Sequence, residues 1–152
     1  MKKLWIWMTI ACLTFLMGCA GGGEVPTGAK APTPSIVEGL MEPFIVIEGN
    51  QTKRIHVTFG VKNQTEKDVE LTFPSGQRYD YVVKNEEGTV VKHYSIDKLF
   101  IQAIQTITIK PGDELKYEEV FEDLEPGTYS FEFWITAQDT DLRDQATFIV
   151  QE

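Results

Sequence analysis

Apolar residues recur at every second position along most of this chain, and this feature constrains its fold more than any other. A period of two places apolar side chains on one face of a β-strand and polar side chains on the other. No window has the longer period of an amphipathic helix, so the chain is predicted to be all-β. The clearest runs have the apolar faces Ile55, Val57, Phe59 and Val61; Val69, Leu71 and Phe73; Tyr129, Phe131, Phe133 and Ile135; and Ala146, Phe148 and Val150.

Turn signals separate these runs from five further predicted strands, FIVIEG, RYDYVVK, TVVKHY, IQTITI and ELKYEEVF. Positive φ in a turn is predicted for three glycines: Gly88 in NEEG, Gly112 in KPGD and Gly127 in EPGT. The best helical candidate is SIDKLFIQAI, in which Ser95 would cap one turn at most and Phe100 would point inward.

Short strands with regularly spaced turns predict an antiparallel β-sandwich of immunoglobulin type with about 7–9 strands. A small barrel is the alternative. Residues 43–152 would form this single domain, which is long enough to bury one core.

The first 18 residues have the pattern of an export signal, because two lysines precede an uncharged run that falls short of the roughly 20 residues needed to span a bilayer. The following LMGC resembles the lipobox of bacterial lipoproteins, with Leu16, Gly18 and Cys19 in place and Met17 bulkier than usual. The resemblance implies that Cys19 is acylated and holds the protein on the extracytoplasmic face of the cell membrane. An ordinary secretory signal with a chance cysteine, or a transmembrane anchor, is the alternative.

Residues 19–42 are rich in Gly, Pro, Thr and Ala, which predicts a flexible tether between the lipid and the domain. The chain carries 14 basic and 23 acidic residues, and loss of Lys2 and Lys3 with the signal leaves 12 against 23, a net charge of −11. A protein this acidic is not expected to bind nucleic acid or anionic lipid surfaces. With Cys12 removed and Cys19 acylated, the domain would contain no disulfide and no thiol nucleophile.

Five segments follow one another in a recognisable order: LTFPSGQRYDYVV, EEGTVVKHYS, LFIQA, ITIKPGDEL and LEPGTYSFEF. This set, within residues 55–137, resembles the BsuPI family of intracellular proteinase inhibitors, and SGQ-x-YD and the two Pro-Gly turns are its most specific parts. The resemblance implies an immunoglobulin-like sandwich that inhibits a serine proteinase.

Two loops are candidates for contact with a proteinase. PSGQRYD contains Gln77 and Arg78, and HYSIDKLFIQA contains Lys98, Leu99 and Phe100. Arg78 or Lys98 would suit a trypsin-like pocket, and Leu99 or Phe100 a subtilisin- or chymotrypsin-like pocket. A strand-linking turn is the favoured interpretation of PSGQRYD, and burial in the core is favoured for Phe100. The sequence assigns no reactive bond.

Catalytic and metal-binding motifs do not accompany the titratable residues. His56 and His93 lie in predicted strands without the spacing of a catalytic triad or a metal site. Asp139, Asp141 and Asp144 could collect a calcium ion, but a solvated acidic loop is favoured because the run lacks the glycine and distal glutamate of an EF-hand. No enzymatic activity, metal or cofactor is therefore predicted.

The function predicted from the sequence is that of a membrane-anchored binding module. The leading interpretation is inhibition of a serine proteinase, with another envelope protein as the second kind of partner. The alternative is a non-inhibitory envelope module that binds protein or glycan, with Trp134, Tyr81 and Tyr94 as an aromatic platform.

Overall fold

The structure, a computed structural model, describes residues 40–152. The predicted export signal, Cys19 and the tether up to residue 39 lie outside the described residues. Residues 40–152 include no helix long and apolar enough to cross a membrane. The strands of this part are β1 (Met41–Glu48), β2 (Ile55–Asn63), β3 (Val69–Phe73), β4 (Tyr79–Asn85), β5 (Val90–His93), β6 (Gln105–Ile109), β7 (Glu114–Phe121), β8 (Gly127–Ile135) and β9 (Arg143–Val150).

The strands pair antiparallel in three groups. A four-stranded sheet has the order β5-β4-β8-β9, a three-stranded sheet has the order β1-β2-β7, and β3 pairs with β6. This arrangement is an open antiparallel sandwich of immunoglobulin type, so the predicted fold class is confirmed. Each of the five additional strands predicted from the sequence is also present.

The core lies between the inner faces of β2, β4 and β8. The predicted alternation is confirmed, because Ile55, Val57, Phe59 and Val61 are all completely buried. Phe59 is the central ring, with its centroid 5.2 Å from that of Phe131. Burial of each such side chain contributes about 1.5–3 kcal/mol to folding, so this alternation supplies most of the drive toward the sandwich.

Two of the three predicted glycine turns are confirmed. Gly88 and Gly112 each have a φ of 79°. The expectation for Gly127 is wrong, because it is the first residue of β8 and is not among the glycines with positive φ. The Tyr129 hydroxyl closes this corner instead, by donating to the Glu125 carbonyl at 2.8 Å. A tyrosine bonded back to the preceding backbone is a recurring feature of immunoglobulin-like sandwiches.

The start of the domain differs slightly from the expected boundary at Pro43. Met41 and Glu42, which the sequence placed in the tether, are the first residues of β1 and pair with Asn63 and Lys62. The Glu42 carboxylate also accepts a hydrogen bond from Gln64 Nε2 at 2.7 Å. These backbone and side-chain contacts extend the sheet beyond the limit that composition suggested.

Asn63 ends β2 and is a fully buried polar side chain. Its Nδ2 donates to the carbonyls of Lys67 and Ile109, both at 2.8 Å. Its Oδ1 accepts from the Thr65 amide at 2.9 Å and the Thr65 hydroxyl at 2.7 Å. Every hydrogen-bonding position of the amide is therefore used, which fixes the β2–β3 connection to the end of β6.

Candidate functional site

The 94–104 loop (residues 94–104) connects β5 to β6 and is the most unusual surface of the described domain. It leaves the sheet at Tyr94, whose amide donates to the Tyr81 carbonyl at 3.0 Å. A single turn follows, closed by the Lys98 amide and the Ser95 carbonyl at 3.2 Å. Asp97 occupies this turn with a φ of 64°, a conformation that aspartate tolerates better than most residues. The predicted limit of one helical turn is consistent with this geometry.

Large aliphatic side chains of this loop point into solvent. Leu99 is fully exposed, at 102 % of its reference area. Ile96, Ile101 and Ile104 are also well exposed. Exposed aliphatic side chains gathered on one short segment are typical of an interaction surface. The sequence indicates Leu99 as a candidate but not the three isoleucines, because their spacing does not distinguish an outward from an inward direction.

The ring of Tyr94 holds both chain neighbours of Leu99. The Lys98 ammonium lies 3.4 Å from the centre of this ring, a cation–π contact. Phe100 follows Leu99 in the sequence, and the centroid of its ring lies 6.1 Å from that of Tyr94. Phe100 is half-buried and is not part of the core cluster, so the expectation that it would be buried in the core is wrong, and it belongs to the support of the loop. Leu99 is therefore flanked by two anchored residues and has no such anchor itself.

Tyr94 belongs to a cluster of tyrosine rings that reaches the core. Its centroid lies 4.4 Å from that of Tyr79, and Tyr79 lies equally close to Tyr117. Tyr79 also meets the core ring of Phe59 edge-on at 5.1 Å. Its hydroxyl donates to Glu119 Oε1 at 3.1 Å. The loop thus rests on rings that are continuous with the interior of the sandwich.

Burial alters the acidity of these tyrosines. It raises the pKa of Tyr79 and of Tyr81 well above the ordinary value, and the nearby Glu119 carboxylate raises both further. Burial also raises the pKa of Tyr117 to about 12, although the positive charge of Arg78 acts in the opposite direction. The Tyr117 hydroxyl is buried without a hydrogen-bond partner. These phenols are consequently neutral parts of the scaffold at physiological pH.

Asp80 fastens the beginning of the loop to β4. This carboxylate is 6 % exposed and accepts hydrogen bonds from the Ser95 hydroxyl at 2.6 Å and the Ser95 amide at 3.2 Å. The Tyr81 amide donates to it at 2.9 Å. Multiple donors compensate the cost of burying the carboxylate, and in return they fix the direction in which the chain leaves β5.

His93 completes this network without forming a catalytic triad. Its Nε2 lies 3.3 Å from Asp80 Oδ2 and 3.2 Å from Ser95 Oγ. In a Ser–His–Asp triad the acid and the nucleophile contact different ring nitrogens, and the serine hydroxyl points to the histidine. Here both contact the same nitrogen and the Ser95 hydroxyl donates to Asp80. The geometry supports a structural brace.

Gly76 supports the loop from the neighbouring segment PSGQRYD. Its amide donates to the Ile101 carbonyl at 2.8 Å. A Cβ added at Gly76 would lie only 2.8 Å from Ile101 Cγ1, which is closer than real Cβ contacts. Glycine therefore lets the two segments approach closely without displacement of the Ile101 side chain.

Gln77 and Arg78 make contacts within the domain. The Gln77 carbonyl accepts from the Thr136 hydroxyl at 2.7 Å. The Arg78 guanidinium donates to Gln105 Oε1 at 2.8 Å. Both residues are half-buried, as in the strand-linking interpretation favoured from the sequence. Of the five candidate contact residues, Gln77, Arg78 and Phe100 are half-buried, Lys98 is exposed with its ammonium over the Tyr94 ring, and Leu99 is fully exposed.

The acidic loop before β9 contains no assembled cation site. Among residues 40–152, no group of three or more His, Cys, Asp or Glu side chains is placed to hold a metal ion. Asp141 instead pairs with Arg143 at 2.6 Å, and Asp144 accepts from the Gln145 amide at 2.8 Å. Burial raises the pKa of Asp144. The favoured interpretation as an acidic surface loop agrees with these contacts.

The outer face of the four-stranded sheet carries a second, shallow feature. A cleft of about 320 Å³ is lined by Val82, Lys84, Glu132, Trp134 and Arg143. Lys84 and Glu132 form an ion pair across it at 3.0 Å. Tyr81 and Tyr94 pack with the core rings, so they do not join Trp134 in the aromatic platform considered from the sequence.

The described domain is an immunoglobulin-like sandwich whose 94–104 loop presents four exposed aliphatic side chains, of which Leu99 is the most exposed. The family of the chain follows from the match of residues 46–140, more than half of its length, to the model of BsuPI, intracellular proteinase inhibitor. The chain belongs to this family. No curated protein matches it.

Solved structures are similar to this chain in fold only. Spo0M, a sporulation control protein from Bacillus subtilis, is 14 % identical over 75 % of this chain and 50 % of its own, with a TM-score of 0.45. The CARDB domain of a Pyrococcus furiosus protein, in complex with di-metal ions, is 19 % identical over 81 % of this chain and 98 % of its own, with a TM-score of 0.40. A β-glucuronidase from glycoside hydrolase family 2 is 14 % identical over 69 % of this chain and 11 % of its own, with a TM-score of 0.37.

Proposed function

We propose that this protein is a membrane-anchored, extracytoplasmic proteinase inhibitor that contacts its target through the 94–104 loop. Membership of the proteinase inhibitor family supports the kind of partner. The observation that carries the proposal is the full exposure of Leu99 between Lys98 and Phe100, which are both held by Tyr94. A serine proteinase whose pocket accepts an apolar side chain is the partner that this residue suits.

A braced loop supports inhibition because binding then costs little conformational entropy. Ordering a loose loop on a partner costs about 0.5–1.5 kcal/mol for each side chain that is immobilised. Many small inhibitors avoid this cost by means of disulfides. Both cysteines of this chain, Cys12 and Cys19, precede the described residues. The Tyr94 ring, the Asp80 network and the Gly76–Ile101 hydrogen bond take the place of disulfides here.

The inhibition assay should use the full-length chain in detergent against serine proteinases with aliphatic, aromatic and basic specificity. We expect loss of proteinase activity as the chain is titrated, most strongly for an enzyme that accepts leucine. Bovine serum albumin at equal mass controls for simple competition by a protein substrate. Unchanged proteinase activity at a large molar excess of the chain would rule out inhibition.

The membrane location rests on the lipobox at Cys19 and on the charge of the chain. With a net charge of −11 for the chain without its signal, attraction to anionic lipid does not favour membrane binding. Two or more acyl chains bind a protein stably to a bilayer. We expect the wild-type chain in the membrane fraction and a Cys19→Ala variant outside it. If the variant sediments with membranes as the wild type does, the lipid anchor is wrong.

The second candidate function is a non-inhibitory envelope module that binds protein or glycan. The cleft beside Trp134 favours it, because an indole next to paired charges can stack on a sugar ring or a peptide. Retention of the chain on insoluble cell-wall saccharide, lost in a Trp134→Ala variant and kept in Leu99→Asp, would support this candidate. Equal retention of the wild type and the Trp134→Ala variant would exclude the cleft.

A further inference from the structure

We infer that the Leu99–Phe100 peptide bond is the reactive bond of the inhibitor and that the Leu99 side chain fills the primary specificity pocket of a serine proteinase selective for large aliphatic residues. This inference rests on the proposed function. It adds the residue that sets specificity, the bond that is attacked and the fate of that bond.

Exposure and side-chain contacts together select Leu99 among the candidates. A residue that enters a proteinase pocket has to project beyond its neighbours, and Leu99 is fully exposed. The other candidates are already occupied within the domain. Arg78 is hydrogen-bonded to Gln105, the Lys98 ammonium lies over the Tyr94 ring, and the Phe100 ring is half-buried.

The contacts on both sides of the bond explain why attack would not release the loop. When the proteinase serine attacks the Leu99 carbonyl carbon, the carbon–nitrogen bond breaks and the Phe100 nitrogen takes the proton held by the proteinase histidine. The Leu99 acyl group is then joined to the serine, and Phe100 becomes a new amino terminus. In an ordinary substrate this amine diffuses away and water hydrolyses the ester.

Here the new amino terminus would remain beside the ester. Phe100 stays on Tyr94, its carbonyl accepts from Gln102 Nε2 at 3.3 Å, and the next carbonyl, of Ile101, accepts from the Gly76 amide at 2.8 Å. On the acyl side, Lys98 stays on the same Tyr94 ring. The amine can therefore attack the ester again and remake the peptide bond with no net change. Because the amine is held beside the ester, its effective concentration is high, and resynthesis of the peptide bond is favoured over hydrolysis.

A specificity change tests the assignment of Leu99. In a Leu99→Arg variant of the full-length chain, inhibition of a leucine-selective proteinase should weaken at least about 30-fold, as for loss of a central contact residue, and inhibition of trypsin should appear. The matched control is Leu40→Arg, which adds the same charge at an exposed leucine outside the loop. It should retain inhibition of the leucine-selective enzyme and should not inhibit trypsin. Equal thermal midpoints of both variants would show that the fold is intact.

A cleavage experiment tests the bond. With a catalytic amount of the leucine-selective proteinase, mass spectrometry should find the wild-type chain partly converted to a form heavier by one water, with one new amino terminus at Phe100. This form, once isolated, should still inhibit and should regenerate the intact chain. Loss of inhibition on cleavage would overturn the inference and leave the proposed function standing. The same holds if the chain inhibits but is not cleaved at this bond and Leu99→Arg has no effect. A wild-type chain that inhibits none of the proteinases would overturn both.

Discussion

Aromatic rings support both the core and the 94–104 loop, but with opposite effects on the exposure of the side chains around them. In the core, Phe59 lies among Phe131, Phe133 and Tyr81, and the side chains are closed off from water. In the loop, the Tyr94 ring contacts Lys98 and Phe100, and the Leu99 side chain between them remains in water. The difference teaches that stability and the proposed inhibition depend largely on separate residues, so most mutations should change one property without the other.

The largest effect on stability is expected for Phe133→Ala. The side chain is fully buried, and its ring lies 5.0 Å from that of Phe59. Truncating a buried phenylalanine costs about 3–5 kcal/mol, from lost burial and the cavity that remains. Denaturant unfolding would measure this change. A loss below about 1 kcal/mol, outside the range for a buried ring, would mean that the inner face of β8 is assigned wrongly.

A smaller loss of stability is expected for Asn63→Ala, about 2–3 kcal/mol, because backbone groups lose their hydrogen-bond partners. The Ile109 carbonyl loses its Asn63 donor and the Thr65 amide loses its Asn63 acceptor. The Lys67 carbonyl keeps the hydrogen bond from the Thr65 hydroxyl. Asn50→Ala is the matched control, since the side-chain oxygen Oδ1 of Asn50 accepts one exposed hydrogen bond, from the Ile149 amide. Equal unfolding free energies for the two variants would contradict the role given to the buried amide.

An intermediate case is Tyr94→Ala, which should affect both properties. Loss of the ring contacts with Tyr79 and Tyr81 should cost about 1–2 kcal/mol of stability. Inhibition should also weaken, about tenfold, because Lys98 and Phe100 lose their common support. Tyr94→Phe keeps the ring and should restore inhibition. Full inhibition by the folded alanine variant would show that the brace is unnecessary.

The smallest effect is expected from alkaline pH, through Tyr117. Its folded pKa is about 12, above the ordinary value of 10, so above pH 10 the unfolded chain loses this proton before the folded chain does. Stability is therefore complete below pH 10 and falls as the pH rises toward 12. We expect about 1 kcal/mol of this fall from Tyr117, because solvent screening reduces the maximum for such a shift, and the raised pKa values of Tyr79 and Tyr81 add to the fall in the same direction. Absorbance titration should find a phenol ionising late, and ionisation of every tyrosine near pH 10 would contradict the burial.

The sequence was sufficient to predict the strands because the apolar alternation in runs such as that of Ile55 and Val57 records which face is buried. It was misleading at Gly127, where the Tyr129 hydroxyl, and not a left-handed glycine, closes the corner. The local sequence does not reveal which partner closes a turn when that partner is a side chain from the following strand.

The candidate site was only partly predictable. Leu99 was among five candidates, but its isolation depends on contacts between distant parts of the chain. The Ser95 hydroxyl reaches Asp80 on β4, and Ile101 reaches Gly76 before β4. Such tertiary contacts decide whether an apolar residue points in or out, and the period of the sequence does not contain them.

The central claim is that one exposed side chain, held out by a ring-supported loop, accounts for the proposed inhibition. The most direct measurement is the inhibition constant of full-length Leu99→Asp against a leucine-selective serine proteinase, beside Leu40→Asp, which charges an exposed leucine outside the loop. We expect inhibition to weaken at least about 30-fold in the first variant and to stay at the wild-type value in the second, with equal unfolding midpoints. Equal inhibition by the two variants would contradict the claim.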